Sequence, residues 1–290
     1  MGIITKTARL AKGLLNVKKR RYRHLAQEGK VVTYTLPTGF SFSLYPRGQI
    51  AELLYTMSFE FDLLSLVATY LQPGMNVVDV GANCGAYAVI AGKKIGPEGG
   101  VWAFEPAADS IGRLKANMGA NAITSYEAER LALSDSGDGF LELVNEEGQG
   151  DGYRYLKNNQ SSSRKPEEVL IGEKETVPVT TLDAYAKKVG LPPVHFLKVD
   201  VEGGEFGVFN GARQFLADNK DLVILFESAP IGLARAGHSQ DELHKLIISL
   251  GYALYAWDAK QGGWTTDEDL IRNIGNVWAA RNKKLLPSLS

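Results

Sequence analysis

The chain has 290 residues, 44% hydrophobic and 22% charged, with a formal net charge of −1. That composition excludes a disordered chain, a collagen and a coiled coil, and the near-neutral total argues against a nucleic-acid partner. No run of 18 or more apolar residues exists, the strongest short run, Leu222 to Phe226, is strand-sized, and the single cysteine, Cys84, excludes an intramolecular disulfide and a cysteine-based zinc cluster.

The charge is unevenly placed. Residues 1–30 hold nine Lys/Arg against Glu28, a net +8 that leaves −9 for the remainder. Ile4, Ala8, Ala11 and Leu15 recur at helical spacing. This predicts a basic amphipathic arm able to lie on an anionic membrane or hold a partner; a solvated, frayed terminus is the plain alternative. No secretory apolar segment with a cleavage site follows, and Lys6 stands where the myristoylation pattern needs Ser or Thr. The expected location is cytoplasmic, with peripheral membrane contact through residues 1–28.

Val32, Tyr34 and Leu36, the turn Pro37-Thr38-Gly39, and Phe40, Phe42 and Leu44 predict a β-hairpin over 31–49. A helix is expected from Ile50 to Leu71, stopped by Pro73-Gly74. Val77 to Val80, Val101 to Phe104, Tyr126 to Leu133, Phe196 to Val201 and Leu222 to Phe226 read as strands, with helices at Ala86–Lys94, Ile111–Met118 and Leu243–Leu250. Ser239 and Glu242 form a possible capping box, and Tyr252–Trp257 and Asn276–Ala280 are late strands. Apolar strands alternating with helices imply an α/β fold with a parallel sheet covered on both faces. Residues 135–178, rich in Gly, Asn and Ser, read as an insertion at the mouth of the site. Residues 50–290 would form one domain behind the arm and hairpin.

Three motifs carry chemistry. Asp79-Val80-Gly81-Ala82-Asn83-Cys84-Gly85 joins a strand to a helix, where ligands of open parallel sheets bind. Asn83 and Ala86 replace the second and third glycines of the dinucleotide fingerprint, which speaks against a nicotinamide-dependent oxidoreductase. Glu105, at the end of the next strand, suits a ribose diol because a carboxylate is acceptor-only with two oxygens. Lys198-Val199-Asp200-Val201-Glu202-Gly203-Gly204-Glu205 places a lysine inside a central strand, where it needs a carboxylate partner from Asp200, Glu202 or Glu227. A structural ion-pair network is the alternative. Asp200 and Glu227 could hold a divalent metal, but two acids without a clear third ligand do not define a site, so no metal is assigned. His238 is a candidate base or a plain loop residue, His195 reads as structural, and Tyr153 and Tyr155 could stack on a sugar ring.

Asp79 to Gly85, Phe104-Glu105-Pro106, Ala132 to Asp135, Ser161 to Ser163, Val179 to Asp183 and Lys198 to Glu205 follow in an order that resembles the FkbM-type family of S-adenosylmethionine-dependent methyltransferases. The similarity spans roughly Ile50 to Ala280. It implies a class I methyltransferase (Rossmann-like) fold, a seven-stranded sheet with the last strand antiparallel. It also implies methyl transfer to a hydroxyl, often on a glycan, another small molecule or a polyketide-like product. Carried over from the family, Asp79, Gly81, Asn83 and Gly85 would hold the methionine part of the cofactor. Glu105 would take the ribose, Leu133, Ser134 and Asp135 would border the adenine, and Glu60 would close over the cofactor. Asp200, Lys198, Glu202 and Glu227 are the candidates on the acceptor side. A non-catalytic adenosyl-binding scaffold is the competing reading.

Overall fold

A computed structural model describes residues 16–25, 27–28, 31–35, 39–44, 49–56, 60–146, 153–157 and 171–287. A helix over residues 16–25 (α1) precedes the hairpin β1 (Val32–Thr35) and β2 (Ser41–Leu44), then α2 (Gln49–Thr56) and α3 (Phe61–Tyr70). Strand–helix units follow: β3 (Asn76–Val80), α4 (Ala86–Ile95), β4 (Gly100–Phe104), α5 (Ala108–Ala120) and β5 (Tyr126–Glu129). Next come β6 (Ala132–Leu133), β7 (Gly139–Glu146), β8 (Tyr155–Leu156), β9 (Ile171–Thr180) and α6 (Leu182–Val189). The chain continues through β10 (Phe196–Val199), α7 (Glu205–Asn210), α8 (Arg213–Asp218), β11 (Val223–Glu227), α9 (Pro230–Arg235) and α10 (Gln240–Ser249). It closes with β12 (Ala253–Asp258), β13 (Gly263–Thr265), α11 (Glu268–Asn273) and β14 (Asn276–Ala280).

The main sheet has the order β13-β12-β14-β11-β10-β3-β4-β5. It is parallel from β5 to β11, and β14 enters antiparallel between β11 and β12. The expected seven strands with an antiparallel last strand are present, and β13 adds an eighth at the edge. Successive side chains point to opposite faces, so Phe196 and Leu225 enter one core while Leu197, Ile224 and Phe226 enter the other. Each side chain of this size stabilises the fold by about 1.5–3 kcal/mol when fully buried. Two covered faces explain why these strands read as continuous apolar runs rather than alternating ones.

Four expectations change. The single helix from Ile50 to Leu71 is two helices, with Glu60 in the left-handed region (φ 33°) just before α3. The strand from Tyr126 to Leu133 divides: β5 stays in the main sheet, whereas β6 pairs with β9 in a second sheet ordered β6-β9-β7-β8. The described part of the insertion is therefore sheet rather than loop. Leu143, Val177 and Val179 pack with Ala107 and Ala132 into a small core of their own, a pattern obscured in the sequence by the charged residues of β7 and β9. The third change is at β10, which ends at Val199, so Asp200 and Val201 already belong to the loop. The fourth concerns short helices α7, α8, α9 and α11, which are too brief for periodicity to signal. The Ser239–Glu242 capping box is present. The amphipathic positions Ile4, Ala8, Ala11 and Leu15 and the run Ser161 to Ser163 lie outside the described residues.

Candidate active site

The carboxyl ends of β3, β4 and β10 meet at one cleft, roofed by the second sheet. The β3–α4 turn needs glycine where the chain passes the neighbouring strand: Gly81 has φ 78°, and a Cβ there would lie 1.8 Å from the Asp200 carbonyl oxygen. Asn83 also takes a left-handed conformation (φ 48°), which asparagine tolerates better than most residues. Its side-chain oxygen accepts from the Cys84 N–H at 2.7 Å. Cys84 is buried in the main core, as expected of a small hydrophobe.

Glu105 fixes this turn. Its Oε2 accepts from the Asn83 N–H at 2.9 Å and its Oε1 from the Ala107 N–H at 2.8 Å. Burial pushes its carboxyl up to about 7, while those two N–H groups and Arg154 pull it back towards the charged form. Each carboxylate oxygen has two lone pairs, so both keep capacity for a ligand diol.

Across the cleft lies an acidic group. Lys198 is buried at 4% exposure and donates to Asp200 Oδ2 at 2.9 Å, with its ammonium 4.6 Å from the Tyr87 ring centroid. Burial disfavours the ammonium, but Asp200 and Asp79 outweigh it and raise the Lys198 pKa. Asp200, Glu202 and Glu227 offer one oxygen each within 4.8 Å of one another. Burial and the neighbouring acids push Glu202 up to about 8 and Glu227 to about 9. Glu202 adopts a left-handed backbone (φ 56°) in the loop after β10, and its carboxylate lies beside those of Asp200 and Glu227. Gly203 lets that loop touch α9, since a Cβ there would lie 2.2 Å from the Gly232 oxygen.

The roof and far wall bring side chains together that the sequence kept apart. Arg154, next to β8, reaches Asp109 and Ser110 at the start of α5. The Arg235 guanidinium lies 4.2 Å from the Tyr155 ring centroid, and His238 stacks on Phe206 at 3.9 Å. Arg154, Tyr155, Arg235 and His238 all line the cleft; Tyr153 is exposed and does not.

Of the residues expected at the site, Gly81, Asn83, Glu105, Leu133, Ser134, Asp135, Asp200 and Glu202 line the cleft. Asp79 and Lys198 are buried beneath it as paired positions of adjacent strands. Gly85 is the N-cap of α4, and Glu227 has an oxygen within 4.8 Å of those of Asp200 and Glu202. Glu60 is placed differently from the expectation: its oxygens accept from the Tyr87 hydroxyl at 2.7 Å and the Asn276 amide at 3.0 Å, and it does not line the cleft. His195 is structural, its Nδ1 accepting from the Asn76 N–H at 3.0 Å. Sequence reasoning missed Arg154, Arg235, Phe206 and Tyr87, whose roles depend on contacts across the fold that no local pattern encodes.

The arrangement fits an adenosyl amino acid. Both oxygens of Asp79 are buried without a hydrogen-bond partner, an acceptor pair suited to an ammonium group. The close turn at Gly81 and the spare acceptors of Glu105 suit the remaining polar groups of such a ligand.

A family model described as the methyltransferase FkbM domain matches residues 79–254. Among solved structures, the chain is similar to the FkbM methyltransferase from Methylobacillus flagellatus KT, with 14% identity and a TM-score of 0.45 over 79% of this chain and 54% of that one. This chain therefore spans about half the length of that protein. Precorrin-6y C5,15-methyltransferase from Geobacter metallireducens GS-15 shares 11% identity, with a TM-score of 0.41 over 76% of this chain and 87% of its own. A SAM-dependent O-methyltransferase from Thermotoga maritima shares 11%, with a TM-score of 0.40 over 87% and 77%. No curated protein matches the chain.

Proposed function

Because the chain belongs to the FkbM methyltransferase family, as the match over residues 79–254 establishes, we propose that it transfers a methyl group from S-adenosylmethionine to a hydroxyl of a glycan or secondary metabolite. The observation that carries this reading is the shared cleft: the glycine turn and Glu105 on one side, Asp200 and Glu202 on the other. Bound S-adenosylmethionine supplies an electrophilic methyl group on its sulfonium. Asp79, Gly81, Asn83 and Glu105 would hold it, with Leu133, Ser134 and Asp135 beside the base.

The chain's own task is then to align a weak nucleophile and receive its proton. Alignment of reactants is worth up to about 7–11 kcal/mol. Asp200, held in place by Lys198, orients the acceptor hydroxyl. Glu202, in its ionised form, would receive the acceptor hydroxyl's proton; an acid raised to about 8 is a stronger base than an ordinary carboxylate, and a positioned general base contributes roughly 10²–10⁴-fold. Tyr155 and the stacked Phe206–His238 pair offer flat surfaces to a sugar ring. The basic segment of residues 1–28 would hold the protein at an anionic membrane surface.

The test is incubation of the full chain with methyl-labelled S-adenosylmethionine and a panel of glycans and lipids, read by mass spectrometry. Mass gain on a hydroxyl supports the reading; cofactor binding without transfer to any class of acceptor favours a non-catalytic adenosyl scaffold.

A further inference from the structure

Lys198 has an acid to either side. Asp79 is its register partner on the adjacent strand β3, and Asp200, just past the end of β10, lines the cleft. The ammonium donates to Asp200 at 2.9 Å and makes no hydrogen bond to Asp79, whose oxygens are buried without a partner among the described residues. Buried acceptors left unmet are costly, so the pairing seen is not the one that Asp79 alone would select. A further group touches the ammonium: the ring of Tyr87, in the first turn of α4, with its centroid 4.6 Å from Nζ. That ring is anchored. Its hydroxyl donates to Glu60 Oε2 at 2.7 Å, and Glu60 Oε1 accepts from the Asn276 amide of β14 at 3.0 Å.

We propose that Tyr87 is a positioning residue: its ring face holds the Lys198 ammonium on Asp200 and away from Asp79, which keeps Asp79 open for the ammonium group of the cofactor. The part that concerns Asp79 rests on the cofactor reading above; the placement of Lys198 does not. An ammonium is attracted to the face of an aromatic ring, and more strongly where water is excluded. Lys198 and Tyr87 are 4% and 5% exposed, so water is excluded from this contact. Lysine carries three N–H donors on a flexible stem. Without the ring, that stem is free to turn the ammonium onto the unmet oxygens of Asp79. Asp200 would then lose its neutralising partner, and the cofactor would meet an acid already taken.

Two variants separate the ring from its anchor. Tyr87→Met fills much of the same space without a π face, and Tyr87→Phe keeps the ring and drops only the hydroxyl. Crystal structures of the ligand-free variants read the placement directly. Lys198 Nζ is expected within hydrogen-bond distance of Asp79 in Tyr87→Met and still on Asp200 in Tyr87→Phe. Calorimetry then compares S-adenosylhomocysteine with methylthioadenosine, which keeps the nucleoside but lacks the amino-acid part. Tyr87→Met should bind S-adenosylhomocysteine about tenfold more weakly, as for one lost charge-assisted hydrogen bond, and methylthioadenosine within about twofold of wild type. Tyr87→Phe should match wild type with both ligands. An ammonium that stays on Asp200 in Tyr87→Met overturns the proposal, as does an equal loss for both ligands, the mark of a merely loosened fold. If Tyr87→Met does not fold, Tyr87→Phe still decides: an ammonium on Asp200 supports the role of the ring, and one that has left it overturns that role. A displaced ammonium in Tyr87→Met, when the wild type binds neither ligand, supports the hold of Tyr87 on Lys198 and overturns the cofactor reading instead.

Discussion

Lys198 and Asp200 form a 2.9 Å ion pair in which one partner is buried and the other opens on the cleft. One carboxylate therefore neutralises the lysine and, under the proposed function, also faces the acceptor. Asp200→Asn should lower both melting temperature and saturated turnover. Asp79 still faces the ammonium, so the stability loss should be about 1–3 kcal/mol. Turnover should fall roughly 10²–10⁴-fold, the usual worth of a group acting on a transferred proton or its donor. Cofactor affinity should change less than about tenfold, a difference of ~1.4 kcal/mol. Near-wild-type turnover in a destabilised variant would reduce Asp200 to a counter-ion.

Glu105→Ala should weaken S-adenosylmethionine binding by roughly 10- to 150-fold, through loss of charge-assisted hydrogen bonds worth about 1.5–3 kcal/mol. It should also lower the melting temperature, because the Asn83 and Ala107 N–H groups lose their acceptor. Calorimetry on the folded variant checks the first and thermal melts the second; unchanged affinity removes the ribose assignment.

Much of the fold is legible in the sequence. Val77, Val78 and Val80 mark a buried parallel strand by composition, and the Lys198–Asp200 partnership follows from the cost of burying a lone ammonium. Glu105 reads in sequence as a candidate ligand and not as a structural acceptor: a residue at 7% exposure looks in sequence like any acid after a strand. Glu60's contacts with Tyr87 and Asn276 are not legible locally, because Asn276 is 216 positions away. The second sheet was hidden because β7 and β9 pair across a long polar stretch, and nothing local fixes such a register.

Glu227 gives a pH signature. Burial, Asp200 and Glu202 raise it from 4.5 to about 9, so it is harder to ionise in the folded chain than in the unfolded one. Its contribution to stability is therefore full below 4.5 and is withdrawn as pH rises towards about 9. Glu227→Gln removes that withdrawal. Its melting temperature, relative to wild type, should rise progressively over this range. Melting curves that stay parallel across pH would show that Glu227 is not the group responsible.

Deleting residues 1–28 should leave cofactor affinity unchanged but lower the melting temperature, because Tyr22 is 5% exposed and packs 5.8 Å from the Tyr55 ring. The full chain should sediment with anionic vesicles at low salt and be released as salt screens the attraction. A full chain that ignores such vesicles at low salt would end the membrane proposal.

The position of β14 bears on how the chain can be cut. The family match ends at residue 254, yet β14 (Asn276–Ala280) lies inside the sheet, hydrogen-bonded to β11 on one side and β12 on the other. A polypeptide trimmed to residues 79–254 would have a slot in its sheet, with the β11 edge bare and most of β12 missing. It would also lack Glu60, which clamps Tyr87 to Asn276. The span by which the chain is recognised is thus smaller than the span that folds, and a deletion series designed on similarity alone would yield aggregates with an open strand edge rather than a minimal enzyme.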